Sequence, residues 1–314
     1  MRIAIVGSGG LGGYFGGRLA AAGVDVVFLA RGAHLDALRT GGLRIESPNG
    51  NLHLPRVSAT DDASTVGAVD VVFFAVKLYD TESAIPLLAP LIGADTVVIP
   101  FQNGVESVAM LARAVDRRHL AAGTSYVQAS LAEPGVIRHA AFDRLIFGEL
   151  DGARTPRLER LFDVCRDAGV SPTLSDQIEV ELWSKFVHIC VLSGMTSVTR
   201  SPVGPLRDDP DLCAMWQAAL IETIAVARAR GVALPRSIFD ESITFFQQIP
   251  AHAGSSMLQD LERRRRLELP WLSGAVVRMG HALDVETPIH RFIAAVLKPH
   301  VNGGLKAQGS RLKA

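Results

Sequence analysis

The sequence predicts an α/β protein in which a parallel sheet covered by helices is followed by an all-α domain. Three observations carry this prediction. Up to about residue 150, short runs rich in β-branched residues alternate with amphipathic helical stretches, a pattern typical of parallel strands joined by helices. After about residue 155, helical spacing replaces the strand-like runs. The chain has 314 residues, more than one hydrophobic core usually holds, so two domains are expected.

Composition and charge favour small-molecule chemistry. Hydrophobic residues make up 48% of the chain, and 32 lysines and arginines balance 32 aspartates and glutamates, so no global field favours nucleic acid or an anionic membrane. Because the chain enters a strand-like run at once, no export signal is expected, and no membrane span is expected because no apolar stretch comes near the required length. Three widely separated cysteines, Cys165, Cys190 and Cys213, form no disulfide framework and fit a reducing cytoplasm.

Four apolar runs in the first half are the predicted strands: RIAIVG, VDVVFLAR, VDVVFFAVK and TVVIPFQNG. Two of them are apolar almost throughout, as strands buried on both faces must be. Asn49-Gly50 lies between two alternating runs and predicts a hairpin, and Pro134-Gly135 suits a type II turn. Antiparallel strands are therefore expected at one end of the sheet.

Helical stretches follow. TPRLERLFDVCRDAG predicts a helix that ends near Gly169, and DLCAMWQAALIETIAVARARG predicts another that ends at Gly231. The domain boundary is expected near residues 169–175, around GVSPTLSD, so the predicted domains are residues 1–172 and 173–314.

A glycine loop joins the first strand to the first helix. In GSGGLG, Gly7 permits a tight turn, Gly9 lets the backbone approach a pyrophosphate, and Gly12 allows close packing of helix on strand. The unpaired amides and positive end of the following helix face the phosphates. This context predicts a Rossmann-type dinucleotide-binding domain rather than a simple chain reversal. The predicted cofactor-binding loop comprises Gly7, Ser8, Gly9, Gly10, Leu11 and Gly12.

The end of the second strand indicates which dinucleotide is bound. An NAD site places an acid there for the ribose hydroxyls, whereas VDVVFLAR ends in Arg31. A guanidinium suits a 2′-phosphate through its charge and forked donors. NADP(H) is the predicted cofactor; the alternative is that Arg31 is an ordinary solvated arginine.

Two further strands end in polar residues. Lys77 ends VDVVFFAVK and Asn103 lies at the end of TVVIPFQNG, and ligands of open α/β sheets lie beyond the carboxyl ends of the strands. Both residues are expected to border the crevice for the nicotinamide ring. Asn103 could also cap a helix, with Glu106 as its capping-box partner, and the two roles are compatible.

One lysine, Lys185, interrupts the nearly apolar run ELWSKFVHICVLSG. His188 follows three positions later and is interpreted as a packed histidine rather than a catalyst. The nine histidines are scattered without ligand spacing, so no metal site is predicted. The run ERRRR (residues 262–266) is interpreted as a solvated helix face.

With the glycine loop, Arg31, AVK, QNG, ELWSKF and SSMLQDLERRRRLELPWLSG, the sequence resembles the ketopantoate reductases (2-dehydropantoate 2-reductases) over nearly its whole length. The resemblance implies a cytoplasmic, NADPH-dependent enzyme of pantothenate biosynthesis that reduces 2-dehydropantoate to pantoate. It also implies a Rossmann domain, a helical domain and a small 2-oxo acid bound between them. Homodimerisation is left open.

The resemblance also implies roles for single residues. Lys185 matches the lysine that acts as general acid, and Lys77 and Asn103 match residues near cofactor and substrate. Ser256 resembles the contact to the substrate carboxylate, with Ser255 as the less favoured choice. Glu268 matches an acid that helps to hold the lysine and the substrate and is counted among the cofactor contacts.

Departures from the family pattern concern the substrate. The family presents asparagines four and eight residues after its lysine, where this chain has Ile189 and Ser193; Ser193 is retained as a predicted substrate contact. Pro270 and Ser273 replace an aspartate and an asparagine. A pocket with fewer polar partners discriminates less well by hydrogen bonding. The alternatives are therefore a reductase of a different, more apolar 2-oxo acid and a catalytically silent NADPH-binding protein.

Overall fold

The computed structural model describes residues 1–304, which hold ten β-strands and twelve α-helices joined by short 3-10 helices. The strands are β1 (Arg2–Val6), β2 (Asp25–Leu29), β3 (Leu43–Glu46), β4 (Leu52–Leu54), β5 (Ser58–Thr60), β6 (Val69–Phe74), β7 (Ile92–Pro100), β8 (Ala121–Glu133), β9 (Val136–Glu149) and β10 (Ser171–Leu174). The helices are α1 (Gly10–Ala21), α2 (Gly32–Gly41), α3 (Thr81–Ala84), α4 (Ser107–Leu111), α5 (Pro156–Asp167), α6 (Ile178–Thr199), α7 (Val203–Asp208), α8 (Pro210–Ala229), α9 (Ile238–Gln248), α10 (Ser256–Glu262), α11 (Ser273–Ala282) and α12 (Pro288–Leu297).

The first sheet is parallel, with the strand order β5-β2-β1-β6-β7. The four predicted strands are confirmed as β1, β2, β6 and β7. Alternate residues of β1 enter different cores: Ile3 and Ile5 join one, and Ala4 and Val6 join the other. Burial on both faces explains why these strands are apolar almost throughout.

The antiparallel strands form a second sheet rather than an end of the first, which corrects the sequence prediction. Its order is β10-β9-β3-β4, with β8 paired to β9. Both predicted turns are confirmed. Asn49-Gly50 separates the antiparallel strands β3 and β4, and Pro134-Gly135 joins β8 to β9, where Glu133 pairs with Val136 and Gly135 has a φ of 81°.

Helix α1 packs between the two sheets through a glycine-rich surface. A Cβ atom on Gly16 would lie 2.7 Å from the ring of Phe28 in the first sheet. A Cβ atom on Gly13 would lie 2.7 Å from the side chain of Ile137 in the second. The absence of side chains here lets backbone and sheet approach closely, so the start of α1 has a fixed position.

Near the predicted domain boundary, helix α5 is followed by Gly169, whose φ of 72° fits the predicted C-cap. Residues 171–174 form the strand β10, which pairs in parallel with β9. Contacts divide the chain into two compact units, Met1–Leu182 and a second that begins at Trp183. The sequence boundary between the two units, Leu182/Trp183, falls within α6.

The second unit is helical in its described part, as predicted. Trp216 of α8 stacks on Phe246 of α9, with ring centroids 4.0 Å apart. The Glu222 carboxylate accepts hydrogen bonds from the backbone N–H groups of Ile289 (2.8 Å) and His290 (3.0 Å). The buried Glu222 carboxylate at the N-terminal end of α12 therefore accepts hydrogen bonds from N–H groups that the helix itself leaves unpaired.

Helix α8 ends as predicted, two residues before Gly231, which has a φ of 88°. By length and composition alone it could cross a membrane, so the prediction that no stretch comes near that length is wrong. In its most apolar window, 44% of the residues are buried inside the protein. The core helix of a soluble protein can have the same length and apolar composition.

Candidate active site

The glycine loop has the geometry that a dinucleotide requires. Gly7 has a φ of 99°, and a Cβ atom there would lie 2.6 Å from the backbone nitrogen of Val76. A Cβ atom on Gly12 would lie 2.8 Å from the side chain of Ile5. At Gly9, by contrast, a Cβ atom would meet nothing within 4 Å. The first and third glycines are thus needed for packing, while the second leaves open space in front of the backbone.

The start of α1 fits an anion. Gly9 is the N-cap residue and the first turn contains no acidic residue, so the first N–H groups of the helix retain their donor capacity. Gly10 lies against β8, because a Cβ atom on it would lie 2.8 Å from the Cα of Ser130. Leu11 packs against the core of the first unit.

His34 holds the glycine loop in place. The Gly135 N–H donates to His34 Nδ1 at 3.0 Å, so the proton of a neutral ring lies on Nε2, which donates to the Ser8 carbonyl at 2.8 Å. Desolvation by burial lowers the pKa of His34, and the hydrogen bond to Ser8 raises it. The buried Ser8 hydroxyl donates to the Leu29 carbonyl at 3.0 Å. No local sequence pattern predicts this role of His34, because its partners Ser8 and Gly135 are distant in the chain.

Arg31 follows β2 and is the N-cap residue of α2. Its side chain is 72% exposed, and its guanidinium lies 3.6 Å from the carboxylate of Asp80, which is 30% exposed. Asp80 comes from the connection after β6. The sequence has no acid at the end of β2, and the fold brings one there from the connection that follows β6.

Lys77 and Asn103 lie beyond the carboxyl ends of neighbouring strands. Phe74 and Pro100 are paired where β6 and β7 end, and each predicted site residue follows three positions later. Gln102 links the two segments, since its Nε2 donates to the Val76 carbonyl at 2.8 Å. Asn103 is not the N-cap residue of α4, because that helix begins at Ser107 with Glu106 as its N-cap.

Lys185 is buried in α6 with 7% of its surface exposed. Desolvation lowers its pKa from 10.5 to about 8, while the Glu268 carboxylate raises it. Glu268 is also buried, with 6% exposed. The structure therefore brings the lysine and the acid into electrostatic contact, and the acid opposes the loss of charge that burial favours.

Ile189 and Ser193 lie one and two helical turns beyond Lys185, so the three side chains lie along one side of α6. Ser193 is buried and Ile189 is partly buried. This side of the helix therefore carries one hydroxyl and one branched apolar side chain after the lysine.

The two adjacent serines have different surroundings. Ser255 is buried and is the N-cap residue of α10, where its hydroxyl accepts from the Leu258 N–H at 3.0 Å and lies 2.8 Å from the Thr196 hydroxyl. Ser256, the first residue of α10, is exposed. The Ser255 hydroxyl is thus engaged in hydrogen bonds within the protein.

His188 is packed, as interpreted from the sequence. Its ring centroid lies 5.0 Å from that of Phe245, and burial lowers its pKa to about 4, against a smaller effect of Glu241 that raises it. Residues 262–266 are exposed, as predicted, but the prediction that they form a helix face is wrong, because α10 ends at Glu262.

Comparison with known proteins covers both units. The chain matches the model of the family Ketopantoate reductase PanE/ApbA over residues 3–152 and that of its C-terminal part over residues 177–301. It is 31% identical to the uncharacterized oxidoreductase YkpB of Bacillus subtilis, covering 95% of this chain and 98% of that protein. It is 30% identical to the 2-dehydropantoate 2-reductase of Mesorhizobium japonicum, covering 95% and 97%.

A crystal structure of a PanE/ApbA family ketopantoate reductase from Ralstonia eutropha JMP134 has the same fold. Its TM-score is 0.89 at 33% identity, with 96% of this chain and 98% of that chain covered. The matches span nearly the whole chain and include both units. The chain belongs to the ketopantoate reductase family and is an oxidoreductase that acts on CH–OH groups.

Proposed function

We propose that this protein reduces a 2-oxo acid to the 2-hydroxy acid with NADPH, with 2-dehydropantoate as the leading substrate and pantoate as the product. The observation that carries the proposal is the buried Lys185, whose pKa is about 8 under the opposing effects of burial and Glu268. A group that titrates near the working pH can deliver a proton efficiently. Shifted pKa values of this kind are typical of catalytic sites.

The first unit supplies the residues for the dinucleotide. The loop from Gly7 to Gly12 would hold the pyrophosphate at the start of α1, where the space before Gly9 is open. Arg31 would contact the 2′-phosphate, and Lys77 and Asn103 would lie towards the nicotinamide end. The nicotinamide, when bound, supplies the hydride.

The second unit supplies the proton. As the carbonyl carbon accepts a hydride, its oxygen gains negative charge, and the Lys185 ammonium stabilises that charge and transfers a proton to the oxygen. Such positioned acids contribute about 10² to 10⁴-fold to the rate. Glu268 raises the pKa of the lysine and so favours its protonated form in this buried position. The Ser256 hydroxyl is the proposed partner of the substrate carboxylate, since the Ser255 hydroxyl is engaged within the protein.

Ile189 supports a second candidate within the same class. An isoleucine offers no hydrogen bond to a substrate hydroxyl, which 2-dehydropantoate carries, so the site loses discrimination in favour of that acid. A more apolar 2-oxo acid is therefore the alternative substrate. Ser193, two turns beyond Lys185, still provides one buried hydroxyl on this side of α6.

The test is NADPH oxidation by the purified protein over a panel of 2-oxo acids with polar, branched aliphatic and aromatic side chains. The proposal predicts turnover of 2-dehydropantoate. Negligible turnover of that acid beside rapid turnover of an apolar one would establish the alternative. Tight NADPH binding without turnover of any acid would instead indicate a catalytically silent protein.

A further inference from the structure

We propose that Asp80 is a specificity-determining residue that weakens the preference for NADPH over NADH. The inference rests on the dinucleotide site of the proposed function. Its basis is the position of the Asp80 carboxylate, 3.6 Å from the Arg31 guanidinium at the end of β2. In Rossmann-type domains the adenosine ribose lies at this end of the second strand.

Hydrogen bonds hold the backbone of Asp80 in a position from which its carboxylate reaches the Arg31 guanidinium. Its N–H donates to the Lys77 carbonyl at 2.8 Å, and its own carbonyl accepts from the Ser83 hydroxyl at 2.9 Å. Asp80 also closes the 3-10 turn Leu78–Asp80 directly before α3. The carboxylate thus comes from an ordered turn and not from a long loop.

A 2′-phosphate and the Asp80 carboxylate would compete for one guanidinium. The phosphate carries up to two negative charges, so a carboxylate within reach of the same arginine repels it. NADH has a hydroxyl at this position, and a carboxylate accepts a hydrogen bond from a ribose hydroxyl. Asp80 therefore penalises NADPH and supports NADH, although no acid follows β2 in the sequence.

The opposite effect is expected if Asp80 merely orients Arg31. In that case the ion pair would hold the guanidinium ready for the phosphate, and loss of the carboxylate would weaken NADPH binding. The sign of the change in Asp80→Asn distinguishes the two accounts, because asparagine keeps the size of the side chain and removes only its charge.

Dissociation constants for NADPH and NADH, measured by nicotinamide fluorescence, provide the test. In Asp80→Asn we expect the ratio of the NADH constant to the NADPH constant to rise about 1.5- to fivefold, the scale of a partly exposed charge pair. Asp80→Ser should change the ratio in the same direction. Glu82→Gln removes an exposed charge two residues away and should leave the ratio unchanged.

An unchanged ratio in Asp80→Asn, or weaker NADPH binding, would overturn the inference while leaving the proposed function intact, because the unaltered protein would still bind and use the dinucleotide. An equal change in Glu82→Gln would also overturn it, since the effect would then be one of overall charge. Failure of the unaltered protein to bind either dinucleotide would overturn the proposed function and this inference together.

Discussion

The Glu268 carboxylate raises the pKa of the Lys185 ammonium, while burial lowers it more strongly, and the result is a pKa of about 8. Burial alone would favour the neutral amine, which has no proton to give to a ketone oxygen. With a pKa of about 8, Lys185 is largely protonated at neutral pH, and Glu268 acts in that direction. The pair explains how a lysine can be both buried and available as an acid.

The first prediction concerns pH. A general acid must be protonated, so kcat/KM for reduction should be constant at neutral pH and fall as the pH rises through about 8, the pKa of Lys185. Oxidation of the hydroxy acid needs the neutral amine and should rise over the same range. Steady-state rates in both directions check this prediction. A reduction rate that does not fall above that pH would contradict the assignment of Lys185.

The second prediction concerns Glu268. Replacement by glutamine removes the charge that raises the pKa of Lys185, so the fall in the reduction rate should move to lower pH. Glu268→Asp keeps the charge and should retain a profile closer to that of the unaltered protein. The midpoint of the pH profile is the quantity to measure. If Glu268→Gln left that midpoint in place, Glu268 would not set the proton affinity of the lysine.

The third prediction concerns Ile189. Ile189→Asn should raise kcat/KM for 2-dehydropantoate, because an amide one turn beyond Lys185 can hydrogen-bond the substrate hydroxyl; one such bond contributes about 1 kcal/mol, or roughly fivefold. Ile189→Leu keeps the position apolar and should have little effect on this acid. Kinetics of both variants provide the check, and equal efficiencies would show that Ile189 does not limit the use of this substrate.

The fourth prediction separates the two adjacent serines. Ser255→Ala removes the N-cap of α10 and the contact with Thr196, so it should lower the free energy of unfolding by about 1 to 2 kcal/mol. Ser256→Ala affects an exposed hydroxyl and should leave stability nearly unchanged while raising KM for the 2-oxo acid. Denaturant unfolding and steady-state kinetics measure both quantities. The reverse pattern would assign the substrate contact to Ser255.

Local signals in the sequence were sufficient for much of the first unit. The glycine loop, the Pro134-Gly135 turn and the buried strand β1 each follow from the chemistry of consecutive residues. The second sheet could not be predicted in the same way, because the pairing of β3 with β9 joins segments far apart in the chain. Pairing of that kind depends on the packing of the whole unit.

The same limit applies to the candidate site. Lys185 and Glu268 were recognised through family motifs, whereas His34 and Asp80 were not, because their roles arise from contacts with Gly135 and Arg31 that no local pattern encodes. In helix α8 a local pattern is present but ambiguous, because its length and apolar composition fit a membrane helix as well as a core helix.

The central claim is that Lys185 donates the proton that accompanies hydride transfer. Its most direct test compares turnover and NADPH affinity in the unaltered protein and in Lys185→Met, with the 2-oxo acid that the panel identifies as substrate. We expect turnover to fall by about 10² to 10⁴-fold, with the NADPH dissociation constant changed by no more than about twofold. Turnover in Lys185→Met within a few-fold of the unaltered protein would contradict the claim.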